Sequence, residues 1–215
     1  GARAGLHLHL EHFRIMEDVE FEGPDGMPRL IGVTGPERDP LARAVAASIS
    51  DARPIFAEPL SFVLVPRDAA AASLPPFVDP AAFESWRLHI GLPLMGHDLD
   101  LERIATELGL PEAISLTKGC YVGQEVVART TQRGHVRRQR IGFRFAWEGA
   151  PIPKGTELRS AGASAGHVSS TAEEPGTGDG LGMGYLTPAA IADNLPVLAI
   201  QGEKSTHLRL HPWPL

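Results

Sequence analysis

Cysteine is almost missing from this chain: Cys120 stands alone among 215 residues. One thiol excludes an internal disulfide framework and any zinc or cluster site built from this chain's own cysteines. It fits a reducing compartment. Long apolar runs are missing too. Nothing approaches the roughly 18 residues of a membrane span, and the N-terminus lacks the basic-then-apolar pattern of a signal peptide. A cytoplasmic location without membrane attachment is therefore expected. The chain has no HExxH, no GxSxG, no Walker lysine and no internal repeat. Positive charge is not in excess: the net charge is -6, so any basic site must be local.

What is there suits an ordinary folded protein. Hydrophobic residues are 43% and charged residues 21% of the chain, enough for one large domain or two small ones. The chain opens GARAGLHLHLEHF without methionine, which suggests a tag remnant or a piece of a longer protein. HLHLEHFRIMEDVEFEG reads as helix passing into strand, and PRLIGVTGP as a strand closed by Gly35-Pro36. DPLARAVAASIS predicts a helix capped by Asp39, with Leu41, Val45 and Ile49 on one face. LSFVLVP follows as a strand, and the order strand, strand, helix, strand is that of an α+β layer.

Pro75, Pro76 and Pro80 mark a boundary. DPAAFESWRLHIG predicts a second helix with the same Asp-Pro start, and LDLERIATELGL a loop or short helix. A helix of about ten residues is expected after KGCYVGQE, stopping near Gly134. From Arg137 onward QRIGFRF, TELRS, AGHVSS, LGMGYLT, LPVLAI and THLRLHP read as short strands separated by Gly and Pro, a small all-β barrel or sandwich.

The surroundings of Cys120 carry the chemistry. Lys118 beside it and a helix start after it favour the thiolate. The alternative is a small buried hydrophobe, with Gly119 as a turn residue. Glu125 and Arg129, four apart, are placed to pair on the helix surface. Between 129 and 144 lie Arg129, Arg133, Arg137, Arg138, Arg140 and Arg144 and no acid. Such a cluster suits phosphates, an RNA backbone or the carboxylates of a glutamylated ligand, or else forms a solvated rim paired with acids elsewhere. His7, His9 and His12 do not share one face and read as surface residues. GTGDGLGMG fails the dinucleotide fingerprint at Met183 and fits a tight barrel strand instead. Glu173 and Glu174 read as solvated loop acids.

KGCYVGQE at 118–125 resembles the signature of the folate-binding YgfZ family, relatives of the aminomethyltransferase (T-protein) of glycine cleavage. WRLHIGLPLMGHDLD at 86–100 is similar to the family's helix followed by G-x-P-x-x-G, and ERIATELGL, GHVSST, LGMGYLT and LEHFRIMEDVEFE resemble further family segments. T-proteins carry no such cysteine motif, so the resemblance points to the YgfZ branch. It implies an α+β protein with three parts: a ferredoxin-like part at 1–74, a segment of a folate-binding domain at 75–136, and a C-terminal β-barrel at 137–215. The N-terminal stretch with which family members begin is missing from this sequence.

It also implies a task. Family members bind tetrahydrofolate or a derivative and support assembly or repair of iron–sulfur clusters in client enzymes, including a tRNA-methylthiolating one. They act as monomers and not as conventional enzymes; the alternative is aminomethyl transfer to tetrahydrofolate. Cys120 matches the functional cysteine. Arg87, His89, Lys118, Tyr121, Gln124, Glu125 and Arg129 are the implied folate-site residues. His89 stands where relatives carry an acid facing the pterin. The arginine cluster itself makes Arg133, Arg137, Arg138 and Arg140 the expected anion, polyglutamate or RNA contacts, and no metal ligand is expected.

Overall fold

The computed structural model describes residues 29–56, 60–66, 68–69, 78–100, 103–133, 136–213 and 215. The expected helix-to-strand segment and His7, His9 and His12 lie outside them. The chain divides into two compact units, Gly1–Phe77 and Val78–Leu215. Among the described residues no helix is long and apolar enough to cross a membrane.

The first unit contains strand β1 (Arg29–Val33), helix α1 (Arg38–Ala47), β2 (Arg53–Ile55) and β3 (Ser61–Val65). The sheet is antiparallel with β3 between β1 and β2. Ser61, Val63 and Val65 alternate with half-buried neighbours along β3 and are buried, as the two-residue period of a strand with one covered face requires. They pack with Ala42, Val45, Ala46 and Ile49. The buried stripe of α1 is thus shifted from the expected one, and Leu41 is exposed. Asp39 does not cap the helix, which starts one residue earlier; its carboxylate accepts a hydrogen bond from the Ser61 hydroxyl and ties α1 to β3.

In the second unit, helix α2 (Pro80–His89) begins as its sequence dictates. Asp79 accepts hydrogen bonds from the amides of Ala81 (2.8 Å) and Ala82 (3.4 Å), and Pro80 fills the first turn. Short 3-10 turns follow at Ala105–Leu108 and Pro111–Ala113, then helix α3 (Gln124–Arg133). Gly109, at φ +62°, ends the first of these turns. Six strands then form a closed antiparallel barrel in the order β4-β7-β6-β5-β8-β9, with β9 pairing back to β4. They are β4 (Gln139–Ala146), β5 (Glu157–Ser160), β6 (Ala163–Glu173), β7 (Asp179–Leu186), β8 (Val197–Gln201) and β9 (Lys204–His211). The short helix α4 (Pro188–Ala192) links β7 to β8.

The barrel core consists of Phe143, Phe145, Leu158, Val168, Leu186, Val197 and Ala199 with their neighbours. The glycines of LGMGYLT have a definite purpose here. Gly180 and Gly182 lie opposite Phe145 and Phe143 in register. A Cβ at Gly182 would sit 2.1 Å from the Phe143 ring, and one at Gly180 would sit 2.4 Å from Phe145. The rings fill the space those side chains would need. The alternate residues Leu181 and Met183 are buried against Leu88 of α2 and the C-terminal Leu215. Strand β7 is therefore covered on both faces.

Gly182→Ala is expected to cost about 1–3 kcal/mol by overpacking, read as a lowered midpoint in urea unfolding. Gly119→Ala, where a Cβ meets nothing within 4 Å, is the control and should leave the midpoint near that of the parent.

Candidate functional site

The cysteine loop forms from local bonds. The Ser115 hydroxyl accepts from the Lys118 amide at 3.1 Å. The Gln124 side-chain carbonyl accepts from the Tyr121 amide at 3.3 Å, while the Gln124 amide donates to Tyr121 O at 3.3 Å. Gly123 takes φ +85°, a left-handed turn that glycine adopts without strain, and the chain enters α3. The Lys118 ammonium lies 4.6 Å from the centroid of the Tyr121 ring, a cation–π contact that folds the two side chains together around the cysteine. Cys120 itself is exposed. It fills no core, so the reading of it as a packed hydrophobe is corrected.

Of the other implied folate residues on this loop and helix, Lys118, Glu125 and Arg129 are exposed and Tyr121 and Gln124 half-buried. Among the described residues no ion pair joins Glu125 to Arg129, contrary to expectation; both side chains are left to solvent. The Arg133 side chain lies outside the described residues. Val122 and Leu116 are strongly exposed, at 103% and 62%. Leu116 also belongs to an apolar groove of about 340 Å³, bordered by Leu110, Pro111, Ile114, Thr130 and Val136.

Arg87 has a different role from the one expected. Its side chain is fully buried. Its Nε donates to Glu84 at 2.9 Å, Nη1 to Asp98 at 2.8 Å and to Leu92 O at 3.2 Å, and Nη2 to Glu84 at 2.6 Å and Ser170 Oγ at 2.9 Å. A guanidinium has five N–H donors, and all are used, so none remains for a folate. His89, at the end of the same helix, is 45% exposed in its side chain and lies 4.0 Å from Glu174.

Asp98 is the counterpart of Arg87. It accepts from the Leu94 amide at 3.0 Å and from the Ser169 hydroxyl at 2.6 Å, and its own carbonyl accepts the Tyr185 hydroxyl at 2.8 Å. Burial alone would raise the Asp98 carboxyl. The hydroxyl and amide donors from Ser169, Leu94 and Ser170, and the charge on Arg87, outweigh it and hold the carboxyl below its ordinary value.

The arginine cluster is split by the fold. Arg140 is buried, donating to Leu108 O at 2.5 Å and Gly91 O at 2.7 Å, with its guanidinium 4.3 Å from the Trp213 ring centroid. It is an internal clamp, not the anion or RNA contact expected of it. Arg144 forks onto Glu174 at 2.5 and 2.9 Å, so Glu174 is a paired acid and not a solvated one. The reason is strand geometry: Arg140 and Arg144 share the outward face of β4 at a spacing of four, and that face is covered by neighbouring segments.

Arg137 and Arg138 precede the strand and line a polar groove of about 520 Å³ with Asp100, Arg103, Glu107 and Thr130. Glu107 is 8% exposed. Arg103 and Glu107 were not singled out by the sequence, where nothing in their own surroundings distinguishes them. Among the described residues no group of three or more His, Cys, Asp or Glu is placed to hold a metal ion.

Asp98→Ala leaves the Nη1 of a fully buried guanidinium without its carboxylate, while Glu84 still pairs with Nε and Nη2, and should cost about 1–3 kcal/mol, measured by chemical unfolding. Because the folded carboxyl is depressed, its stabilisation is complete above the ordinary carboxylate range near about 4 and is lost as pH falls through the folded value. Asp98→Asn should flatten this acid limb of the stability profile; an unchanged limb would show that Asp98 does not contribute to it.

No family model matches the chain. In sequence it is similar to an aminomethyltransferase of Moorella thermoacetica, 32% identical over 111 residues, which are 52% of this chain and 30% of that protein. It is similar to an aminomethyltransferase of Rubrobacter xylanophilus, 34% identical over 138 residues, 63% of this chain and 35% of that protein. The matched segments span about a third of the length of these curated relatives. In fold it is similar to the crystal structure of the glycine cleavage system aminomethyltransferase T from Bartonella henselae, with TM-score 0.60 and 23% identity over 72% of this chain and 46% of that one. The described structure is mixed α and β with a closed C-terminal barrel, and over that 72% of its length the chain carries an aminomethyltransferase-like fold.

Proposed function

We propose that the chain is part of a tetrahydrofolate-binding accessory protein of the YgfZ branch, using Cys120 to support assembly or repair of iron–sulfur clusters in client enzymes. One observation carries the reading. The KGCYVGQE loop displays its thiol at the surface, between a lysine and a tyrosine that pack on each other. A cysteine that fills no core and joins no disulfide is accessible for chemistry.

The residues fit part of a folate. The groove that shares Leu116 with the loop has an apolar lining and a volume within the usual range for small-ligand sites, about 300–1,000 Å³. Tetrahydrofolate would supply a one-carbon carrier there. The chain's own residues would bind and orient it: the apolar walls take a flat ring system, and Lys118 offers a cation to carboxylates. Arg87 has no part in contact with the ligand, since its donors are spent within the fold.

A second reading, aminomethyl transfer to tetrahydrofolate, is favoured by the sequence likenesses, which are to aminomethyltransferases. The exposed cysteine loop separates the two. In cells that lack their own family member, the gene encoding this chain should restore methylthiolated tRNA, and its Cys120→Ala form should not. Restoration by both would reduce Cys120 to a bystander. Restoration by neither would shift the weight to transfer chemistry. For the folate site itself, Lys118→Ala should weaken tetrahydrofolate binding several-fold in calorimetry; an unchanged affinity would place the site elsewhere.

A further inference from the structure

Against the polar groove, and sharing Arg103 and Arg138 with its lining, lies an arrangement that the cysteine-based reading does not use. His167 on β6 lies between two guanidiniums. Arg103 Nη2 is 2.9 Å from its Nε2, and Arg138 Nη1 is 3.2 Å from its Nδ1. A neutral imidazole accepts a hydrogen bond at one ring nitrogen only, so one of the two arginines faces a ring N–H. The cluster therefore holds more donors than its own atoms can accept.

The Arg103 Nε is buried and ion-paired with the Asp100 carboxylate at 3.3 Å. The guanidinium is held in place from below, 3.7 Å from the centroid of the Tyr185 ring, and Tyr185 also stacks on His167 at 5.6 Å between ring centroids. These are fixed positions and not the excursions of surface side chains.

We propose that Arg103, Arg138 and His167, with the exposed Arg137 at the mouth, form a binding site for the phosphate group of a small phosphorylated ligand. The guanidinium donors come from two separate segments, the loop before the first 3-10 turn and the lead into β4, with His167 of β6 held between them. Guanidiniums converging from two directions suit a tetrahedral oxyanion better than a planar carboxylate, which takes one fork. The groove is compact, and Asp100 and Glu107 share its lining. Two acids in the lining repel a continuous polyanion but leave room for one phosphate, and they can accept hydroxyl or amine donors from the rest of the ligand.

The electrostatics agree. Burial lowers the His167 pKa, and the charges of Arg103, Arg138 and Lys154 lower it further, against an opposing effect of Asp100. A bound dianion offsets the arginines' effect, so binding should couple to proton uptake at His167. The inference does not rest on the cluster-maintenance reading, since Cys120 is not part of this lining.

The test is NMR of the His167 ring carbon-bound proton, assigned by its loss in His167→Gln, during titration with inorganic phosphate. A saturable shift is expected in the low-millimolar range, with the His167 midpoint rising as phosphate is added. Arg138→Gln should lower the affinity about tenfold or more. Arg137→Gln, at an exposed position where folding is not at issue, should lower it several-fold. Lys204→Gln, at a side chain that pairs with Glu148 and does not line the groove, should change nothing. No saturable shift, or the same affinity in both arginine variants, would overturn the proposal. So would a single-stranded RNA oligonucleotide that binds the groove with steep salt dependence while inorganic phosphate leaves His167 unmoved.

Discussion

The second unit depends on one buried ion pair. Arg87 and Asp98 have no solvent exposure in their side chains, and placing two ions in a poorly polarisable interior costs several kcal/mol each unless every donor and acceptor is satisfied. Here they are. Arg87 joins α2 to the turn after it through Leu92 and Asp98, and to strand β6 through Ser170. Asp98 reaches Ser169 on the same strand and, through its carbonyl, Tyr185 on β7. One ion pair thus fixes the helix, the following loop and two barrel strands relative to each other. The apolar part of the same junction, Leu88 against Leu181, Met183 and Leu215, excludes the water that would otherwise weaken it.

That constraint decides what the neighbouring arginines can do. With α2 seated on the barrel, the outward face of β4 is covered. Arg140 becomes a clamp on the carbonyls of Leu108 and Gly91, and Arg144 is neutralised by Glu174 and Asp179. Of the arginines that look like one basic track, Arg140 becomes an internal strut, Arg144 a half-buried partner of Glu174, and Arg137 and Arg138 part of a small polar groove. The cysteine loop escapes this packing because its turns are closed by its own residues, Ser115, Lys118, Tyr121 and Gln124. It can therefore present a thiol without being built into the core.

Much of the fold was legible along the chain. The Asp79-Pro80 start, the alternation of β3 and the glycine-separated strands of the barrel are local signals: each depends on turn chemistry or on the period of one element. LGMGYLT was readable as a tight strand because glycines alternate there, and Phe143 and Phe145 give that alternation its partner. The cysteine loop was legible for the same reason, as a contiguous run of residues. Asp39 was misread as a cap because a sequence does not reveal that Ser61, far along the chain, competes for the same carboxylate.

The sequence by itself determined the elements, the glycine positions that let aromatic rings close the barrel, and the single thiol set in a loop closed by its own residues. Only the tertiary structure decided which charges are internal. Arg87 and Arg140 are as polar as Arg137 and Arg138 when written in a row, and burial is a property of neighbours that arrive from elsewhere. The meeting of Arg103, Arg138 and His167 is of the same kind. It is created by the pairing of β4 and β6 on either side of β7 and by the seating of the loop before the 3-10 turn, because only a folded sheet brings residues from β6 and the lead into β4 within hydrogen-bond distance of each other.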